Sequence, residues 1–382
     1  MPYKNDAAIS ADLRRYKLKT GVFVCSGANG SNEVPFLVYG PRQGVKSVGP
    51  LPMLVYFGGR GEMGGDLSRQ FHQRTVFEQV TSDAFQSRRP CYLFAPVFPS
   101  DLCGVAALPG QPSESNFLTM EALKLVLARL GDAIDTNRLY TTGLSSGGCM
   151  AFDMLTSYPG VFAASVPVGG FERHGMITNR VVAWKIENAV KERADDYYWS
   201  LAAVARRKGG ELRYSAYPSR GHNAWDSAWS DPNVWDWLFA QTLDGSSVSG
   251  LPSAAKDLSW TKCASSRPND DSVHPPRCGV DGLSGTWFEL RDAVRGDWWS
   301  AEFENPVVGR FEVATGRPGG GGVVRHGRVE TSEDGRHWTT VATLSKRSGT
   351  AAFTARRPIR ALRIVCTDAQ PGVFAVRNVS VR

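Results

Sequence analysis

The sequence predicts an α/β module with a doubly wound, mostly parallel sheet, followed by a smaller all-β module of the jelly-roll sandwich type. Over residues 18–241, short apolar runs alternate with helical patterns, as in βαβ units. Glycine, serine and proline are abundant at residues 246–262, which is typical of a linker. Beyond this segment, short strand-like runs, turns and aromatic residues replace the helical patterns. We therefore expect modules at residues 1–245 and 263–382.

Length and composition limit the classes of protein to consider. A chain of 382 residues is too long for one ordinary core and fits two domains. The net charge of +7 comes from scattered lysines and arginines, which indicates solubility with a mild preference for acidic surfaces or glycans, and we expect no nucleic-acid partner. No run approaches the roughly 18 to 20 apolar residues of a membrane helix, so we expect no membrane span.

The cysteines suggest structural roles and no metal site. Cys149 and Cys366 lie in apolar elements and are best interpreted as core thiols. Cys263 and Cys278 flank a loop-rich segment and are the best candidates for a disulfide bond. No C-x-x-C motif or His/Cys cluster occurs, so the sequence predicts neither a metal nor a cofactor.

The secondary-structure elements of both modules follow from the apolar pattern. Runs without polar interruption predict buried parallel strands, and apolar residues at helical spacing predict amphipathic helices. Strands are predicted in the first module at residues 35–39, 53–57, 91–96, 138–142, 163–168, 181–186 and 212–217, with helices at 120–130 and 198–208. In the second module they are predicted at 310–314, 324–331, 339–344, 361–367 and 374–381.

Three short motifs in the first module carry chemistry when they occur in this order. They are GGRGEMG at residues 58–64, GLSSG at 143–147 and GHNAWD at 221–226. Together they predict an oxyanion loop, a nucleophile elbow and a catalytic histidine. In the first of them, Glu62 is expected to brace the loop by hydrogen bonds, as is Asp66 just beyond it.

Ser145 is the predicted nucleophile, because it stands between a predicted strand and a helical pattern. Small residues are needed two positions before and after such a serine, and Gly143 and Gly147 meet that need. A serine hydroxyl becomes nucleophilic when a neighbouring imidazole accepts its proton, and His222 is the histidine in the expected place.

The oxyanion of a tetrahedral intermediate needs two aligned backbone donors. The motifs assign these to the N–H groups of Ser146, directly after the nucleophile, and of Arg60 in the glycine loop. Gly59 and Trp225 are the residues of these motifs that we expect to contact the substrate.

The acid that orients the histidine is expected in the loop after the strand at residues 181–186. Glu187 is the best candidate, since either type of carboxylate can stabilise the charged imidazole. Glu192, Asp195 and Asp226 remain open alternatives.

The first module resembles the α/β-hydrolase esterases of the feruloyl and acetylxylan esterase and polyhydroxybutyrate depolymerase type, some relatives of which are labelled predicted peptidases. The matching segments are residues 57–66, 135–148 and 217–226. This resemblance implies an α/β-hydrolase fold and a serine esterase. The chain departs from the family pattern at Gly58, where a histidine is usual, at Lys185 and Ile186, which replace a His-Gly pair, and at Ala189, near the usual aspartate.

The second module resembles the discoidin-like (coagulation factor 5/8 type C) modules attached to glycan-degrading enzymes. The matching segments are residues 281–282, 286–287, 296–299, 331–338 and 363–364. The resemblance implies sugar binding by exposed aromatic rings and allows a buried calcium ion. Trp298 and Trp338 are positions that either stack on sugar or fill the sandwich core.

From these motifs and resemblances we expect a serine esterase that removes acetyl or hydroxycinnamoyl groups from an ester-bearing carbohydrate. Two alternatives stay open: a serine peptidase on the same fold, and a non-catalytic glycan-binding protein with a degenerate triad. The N-terminal residues lack a signal-peptide core, which fits a cytoplasmic protein or one without its leader. We expect a secreted or periplasmic bacterial protein.

Overall fold

A computed structural model describes most of the chain. The described residues are 6–27, 30–41, 49–64, 67–97, 112–170, 177–188, 193–217, 222–246, 258, 260–267, 274, 276–283, 285–318 and 320–382.

The first module is built on an eight-stranded sheet, counted over its described residues. The strands are β1 (Lys19–Gly27), β2 (Gly30–Tyr39), β3 (Leu51–Phe57), β4 (Tyr92–Pro96), β5 (Ile134–Leu144), β6 (Ala164–Val168), β7 (Val182–Asn188) and β8 (Glu211–Tyr217). Their order is β1-β2-β4-β3-β5-β6-β7-β8. The pairs β1–β2 and β2–β4 are antiparallel, and every later pair is parallel. This is the α/β-hydrolase arrangement, which confirms the predicted fold class.

Helices cover both faces of this sheet. They are α1 (Asp6–Tyr16), α2 (Thr75–Val80), α3 (Asp83–Arg88), α4 (Glu114–Leu130), α5 (Ser146–Ser157), α6 (Arg193–Arg207), α7 (Trp225–Ser230) and α8 (Pro232–Phe239). In β3, Leu54 and Tyr56 belong to one core cluster, and Met53 and Val55 belong to the other. Alternate side chains of a strand point to opposite faces, so a sheet buried on both faces requires the unbroken apolar run seen in the sequence.

The second module is all-β, as predicted. Its strands are β9 (Trp260–Ser265), β10 (Phe288–Ala293), β11 (Trp298–Thr315), β12 (Gly327–Ser332), β13 (Thr339–Thr343), β14 (Thr350–Cys366) and β15 (Gln370–Val381). They are ordered β10-β15-β11-β14-β12-β13, and β9 pairs with β11. The core is apolar and aromatic, with Trp299, Phe311 and Phe374 fully buried. Most of the predicted linker lies outside the described residues, but β9 begins within it at Trp260.

Cys263 and Cys278, the candidates for a disulfide bond, do not form one with each other. The two cysteines are not joined in the structure, in which Cys263 lies on β9 and Cys278 is buried in the 3-10 turn Pro276–Gly279. Burial raises the pKa of the Cys263 thiol well above its usual value, so these residues pack as small apolar side chains. Cys149 and Cys366 are buried in their elements, as expected.

The two modules share a packed contact at the edge of the first sheet. Leu283 of the second module is fully buried within a core cluster of the first. Ser215 on β8 receives a hydrogen bond of 2.8 Å from Trp184 Nε1 and donates one to the carbonyl of Asp281. This loop of the sandwich therefore covers β8, the strand that ends just before the predicted catalytic histidine.

Candidate active site

Ser145 lies at the sharp turn between β5 and α5. Its backbone angles, φ 52° and ψ −121°, are strained for a residue with a side chain. A Cβ at Gly143 would overlap the carbonyl group of Gly147, and a Cβ at Gly147 would overlap the carbonyl oxygens of Phe57 and Gly58. Glycine at both positions is thus required by the close approach of backbone segments, which is the physical basis of the elbow motif.

The imidazole of His222 faces this serine. His222 Nε2 lies 2.8 Å from Ser145 Oγ, a hydrogen-bond distance. Gly169, directly after β6, lies beside the ring, since a Cβ there would be in ordinary contact with His222 Cε1 at 3.5 Å, and its φ of +63° favours glycine. The structure therefore brings together the predicted nucleophile and the predicted base across 77 positions of sequence.

The glycine loop after β3 folds around the side chain of Glu62. Arg60 begins the short 3-10 turn Arg60–Glu62, and Ser146 begins α5, so the N–H groups of both residues lie in a first turn without an intrahelical partner. Burial raises the pKa of Glu62, although the N–H groups of Gly59 and of Glu62 itself bind its carboxylate and partly oppose the shift. Glu62 thus has the bracing position expected for it, while Asp66 lies outside the described residues. A Cβ at Gly59 would approach Leu144 Cδ1 to 2.5 Å.

Glu187 lies near the end of β7 and forms an ion pair. Its Oε1 is 2.7 Å from Lys185 Nζ, and the Lys185 side chain is completely buried. Lys185 Nζ also donates a hydrogen bond of 2.5 Å to the carbonyl of Gly170. A Cβ at Gly170 would lie 3.0 Å from the carbonyl oxygen of Ser145. Lys185 therefore ties the predicted acid to the turn that supports the serine.

Sequence reasoning did not assign a role to Lys185. The signal was present, since a lysine in an otherwise apolar predicted strand must pair with an acceptor if it is buried. In the described part of the chain, the His222 ring forms its hydrogen bond with Ser145 Oγ. The structure therefore brings Glu187 to Lys185, and the assignment of Glu187 as the triad acid stays a prediction.

The alternative acid Asp226 holds the histidine loop together. Its Oδ2 accepts a hydrogen bond of 2.7 Å from Asn223 Nδ2, and its Oδ1 accepts one from Thr75 Oγ1. The N–H of Asp226 binds Asn223 Oδ1 at 3.2 Å. These contacts anchor α7 to α2. Glu192 and the side chain of Asp195, the remaining alternatives, lie outside the described residues.

Trp225, predicted to contact substrate, is buried against the histidine. Its ring is 7% exposed and meets the His222 ring edge-on, with centroids 5.3 Å apart. Trp225 Nε1 donates a hydrogen bond of 3.0 Å to Gln73 Oε1. The hydrogen bond to Gln73 thus holds the indole in place, and the indole limits the orientation of the imidazole.

Replacing Trp225 by alanine is expected to lower kcat by up to about tenfold with little change in KM, because an edge-on aromatic pair contributes about 0.5 to 1.5 kcal/mol. Steady-state kinetics with an aryl acetate measures both constants. The matched control is Trp225→Phe, which keeps a ring beside His222 and should stay near the wild-type rate. A raised KM with an unchanged kcat would instead assign Trp225 to substrate binding.

The second module has an open groove of about 490 Å³. Two aromatic rings, His274 and Trp287, stack at one side of it with centroids 4.0 Å apart and planes 24° from parallel. The groove is also lined by Glu289, Arg291, Arg317 and Pro318. Aromatic side chains together with a few placed polar groups are the usual composition of a small-molecule site.

Glu289 and Arg317 form the polar part of this groove. Arg317 binds the Glu289 carboxylate through two nitrogens, at 2.9 and 3.0 Å, and Trp287 Nε1 donates to Glu289 Oε2 at 3.0 Å. Burial of the carboxyl group opposes its ionisation, but the hydrogen bonds from Arg317 and Trp287 outweigh burial and lower the pKa of Glu289. The arrangement holds a fixed charge pair beside the aromatic rings.

The two tryptophans named from the sequence are not in this groove. Trp298 is half-buried on β11, next to the fully buried Trp299. Trp338 is half-buried, and the Arg363 guanidinium lies 4.3 Å from its ring centroid. The tryptophan that lines the groove is Trp287, which sequence reasoning used only as part of the resemblance.

No protein-family model and no curated protein match the chain. Solved structures that resemble parts of it include a thermostable esterase, with 22% identity and a TM-score of 0.49 over 58% of this chain and 63% of the esterase. The acylaminoacyl peptidase of Pyrococcus horikoshii has 14% identity and a TM-score of 0.36 over 54% of this chain and 38% of that enzyme. The alignments thus span less than two thirds of either protein.

The second module resembles the module CBM32-1 from a family 31 glycoside hydrolase of Clostridium perfringens. The identity is 17% and the TM-score 0.27, over 32% of this chain and 96% of that module.

No group of three or more His, Cys, Asp or Glu side chains that could hold a metal ion occurs among the described residues. No helix in the part of the chain that is described has the length and apolar character of a membrane span.

Proposed function

We propose that this protein is a serine ester hydrolase that removes acyl groups, acetyl or hydroxycinnamoyl, from carbohydrate. The observation that carries the proposal is the 2.8 Å contact between Ser145 Oγ and His222 Nε2 at a strained strand-to-helix turn. A serine in this setting is activated because the imidazole accepts its proton as the hydroxyl attacks.

The reaction proceeds through an acyl-enzyme. Ser145 Oγ attacks the ester carbonyl, His222 takes the serine proton and then gives it to the leaving sugar hydroxyl, and water repeats the steps to release the acid. The N–H groups of Ser146 and Arg60 stabilise the oxyanion, and each such donor contributes about 10² to 10³ in rate.

We propose Glu187 as the carboxylate that stabilises the charged form of His222. Its position near the end of β7 supports this assignment, because the triad acid of this fold follows that strand. The ion pair with Lys185 limits the freedom of the Glu187 side chain to approach the histidine. The acid would then contribute less to the rate than it does in an enzyme whose triad carboxylate has no such ion pair.

The aromatic and charged groove of the second module supports a carbohydrate as the molecule that carries the ester. Binding of sugar there would hold the enzyme on a polymer while the first module acts on its acyl groups. A polymeric glycan substrate in turn implies a secreted or periplasmic protein.

A non-catalytic glycan-binding protein is the second candidate. The observation that favours it is that two of the candidate acids have other partners, Glu187 with Lys185 and Asp226 with Thr75 and Asn223. Without a working acid, the serine and histidine would be remnants of a triad.

Treatment with a fluorophosphonate is expected to modify Ser145, which peptide mass spectrometry detects. The same protein is expected to release acetate or hydroxycinnamate from acylated xylan and to leave a peptide anilide intact. Modification of Ser145 with turnover of the anilide alone would identify a peptidase. Absence of both modification and turnover would identify the non-catalytic protein.

A further inference from the structure

The outer face of the second module carries a row of arginines across three neighbouring strands. Arg310 on β11 is directly opposite Arg382, which follows β15, since each donates its N–H to the carbonyl of the other at 3.0 Å. On the other side, Arg310 is opposite Thr354 of β14, two residues before Arg356. Phe311 and Val381, next to these arginines, point into the core, so the arginines point outward.

An irregularity in the sheet adds a further arginine to this row. Between the pairs Val307↔Ile359 and Gly309↔Ala355, one residue of β11 faces three residues of β14, the sequence Arg356-Arg357-Pro358. All three of these residues are exposed, as is Val308 opposite them. Bulges of this kind redirect side chains and often occur at functional positions.

Gly309 allows the strands to meet at this place. Its φ of +147° is one that residues with side chains rarely adopt, and a Cβ there would lie 2.6 Å from the carbonyl oxygen of Arg382. The close approach keeps Arg382 beside Arg310. Backbone contacts therefore set the positions of Arg310 and Arg382 relative to each other.

The charge of this row is not balanced within the described part of the protein. Arg356, Arg357, Arg360 and Arg382 are exposed, and none of them forms an ion pair there, while Arg310 has a long contact of 3.7 Å with Glu312. Like charges directly opposite each other across strands destabilise a sheet. Folding therefore does not account for the row, and an external anion would.

We propose that this arginine face, defined as Arg310, Arg356, Arg357, Arg360 and Arg382, binds a polysaccharide that carries carboxylate groups, such as a polyuronate. A guanidinium binds a carboxylate through two parallel hydrogen bonds, and the face contains arginine without lysine. Neighbouring strands are about 4.8 Å apart, so the row offers repeated binding positions to an extended polymer.

The side chains of the face favour a polysaccharide over nucleic acid. Proteins that bind single-stranded nucleic acid combine basic residues with aromatic rings on which bases stack. The exposed apolar side chains beside the face are Val308 and Pro358, and no aromatic ring is among its defining residues. The inference goes beyond the proposed esterase function, because the face would anchor the protein to an acidic matrix whether or not the first module hydrolyses esters.

Binding of the full chain to polygalacturonate, measured by isothermal titration calorimetry at low ionic strength, tests the proposal. We expect the double variant Arg310→Glu/Arg356→Glu to bind at least about tenfold more weakly, because it loses two charge-assisted contacts and places two negative charges beside the carboxylates of the polymer. The matched control is Arg295→Glu/Arg336→Glu, which changes the net charge equally at exposed positions of the same module and should bind as the wild type does.

Parallel titrations with single-stranded DNA and with neutral xylan complete the test. If both double variants bind polygalacturonate equally weakly, the proposal is overturned. It is also overturned if the wild type binds DNA as tightly as polygalacturonate and the Arg310→Glu/Arg356→Glu variant loses that DNA binding. Binding of neutral xylan alone would also overturn it. If the glutamate variant does not fold, the corresponding Gln variant removes the same charges, and hydrolysis of a small aryl acetate at the wild-type rate shows that the first module is intact.

Discussion

Replacing Ser145 by alanine is expected to lower kcat for an aryl acetate by at least about 10³-fold, with KM nearly unchanged. The substitution removes one atom, the Oγ that lies 2.8 Å from His222 Nε2. Alanine at this position has the same unfavourable backbone angles as serine, so the fold should be preserved, and thermal unfolding checks this. Initial rates over a range of ester concentrations give both constants.

The neighbouring Ser146→Ala variant is the matched control. Its backbone N–H, the proposed oxyanion donor, is retained, so its kcat should remain within a few-fold of the wild-type value. Adding His222→Ala to the Ser145→Ala variant should cause little further loss, because the two groups act as a unit. Wild-type turnover by Ser145→Ala would refute the proposed mechanism.

The parts of the fold that follow from local sequence could be predicted well. A strand buried on both faces needs a continuous apolar run, and the run that ends at Phe57 gave β3 in its correct place before the glycine loop. The elbow could also be predicted, because the clash at Gly143 and Gly147 is between segments that the motif itself defines. These features depend on a few residues and on backbone geometry common to the fold.

Features that depend on long-range pairing could not be predicted. The bond from Lys185 to the carbonyl of Gly170 requires β6 to lie beside β7. The stack of His274 on Trp287 joins residues whose approach is set by the whole sandwich. The bulge at residues 356–358 is another example, since it exists only relative to β11. The residues of a single strand do not predict which distant residues it will contact.

Asp281, in the loop that covers β8, has a desolvated carboxyl group that is expected to make stability depend on pH. Burial raises its pKa to about 8, against the lowering effects of the Leu283 N–H and the Thr286 hydroxyl, and the negative charge of Asp231 adds to the rise. Thr286 Oγ1 lies 2.8 Å from both carboxyl oxygens and 3.4 Å from the Leu283 carbonyl. A protonated Asp281 can therefore donate to the threonine while the threonine donates to that carbonyl.

The folded protein thus holds a proton on Asp281 that the unfolded chain, with an ordinary carboxyl pKa of about 3.9, releases at lower pH. Because the folded state binds more protons between about pH 4 and 8, its stability is fully present at about pH 4 and falls as pH rises, by up to about 1.4 kcal/mol per unit. Above the folded pKa, a charge must be accommodated beside Leu283, where the sandwich covers β8.

The Asp281→Asn variant is expected to lose this component of the pH dependence. The asparagine carbonyl can accept the bonds from Leu283 and Thr286 but carries no charge, so the variant should be close to the wild type at pH 5 and more stable than it at pH 8. Urea unfolding at both pH values measures the difference, with the exposed Asp132→Asn as the control that should leave it near zero. Equal pH dependence in wild type and Asp281→Asn would show that the carboxyl group is ionised in the fold, and the loop over β8 would then have to tolerate a buried charge.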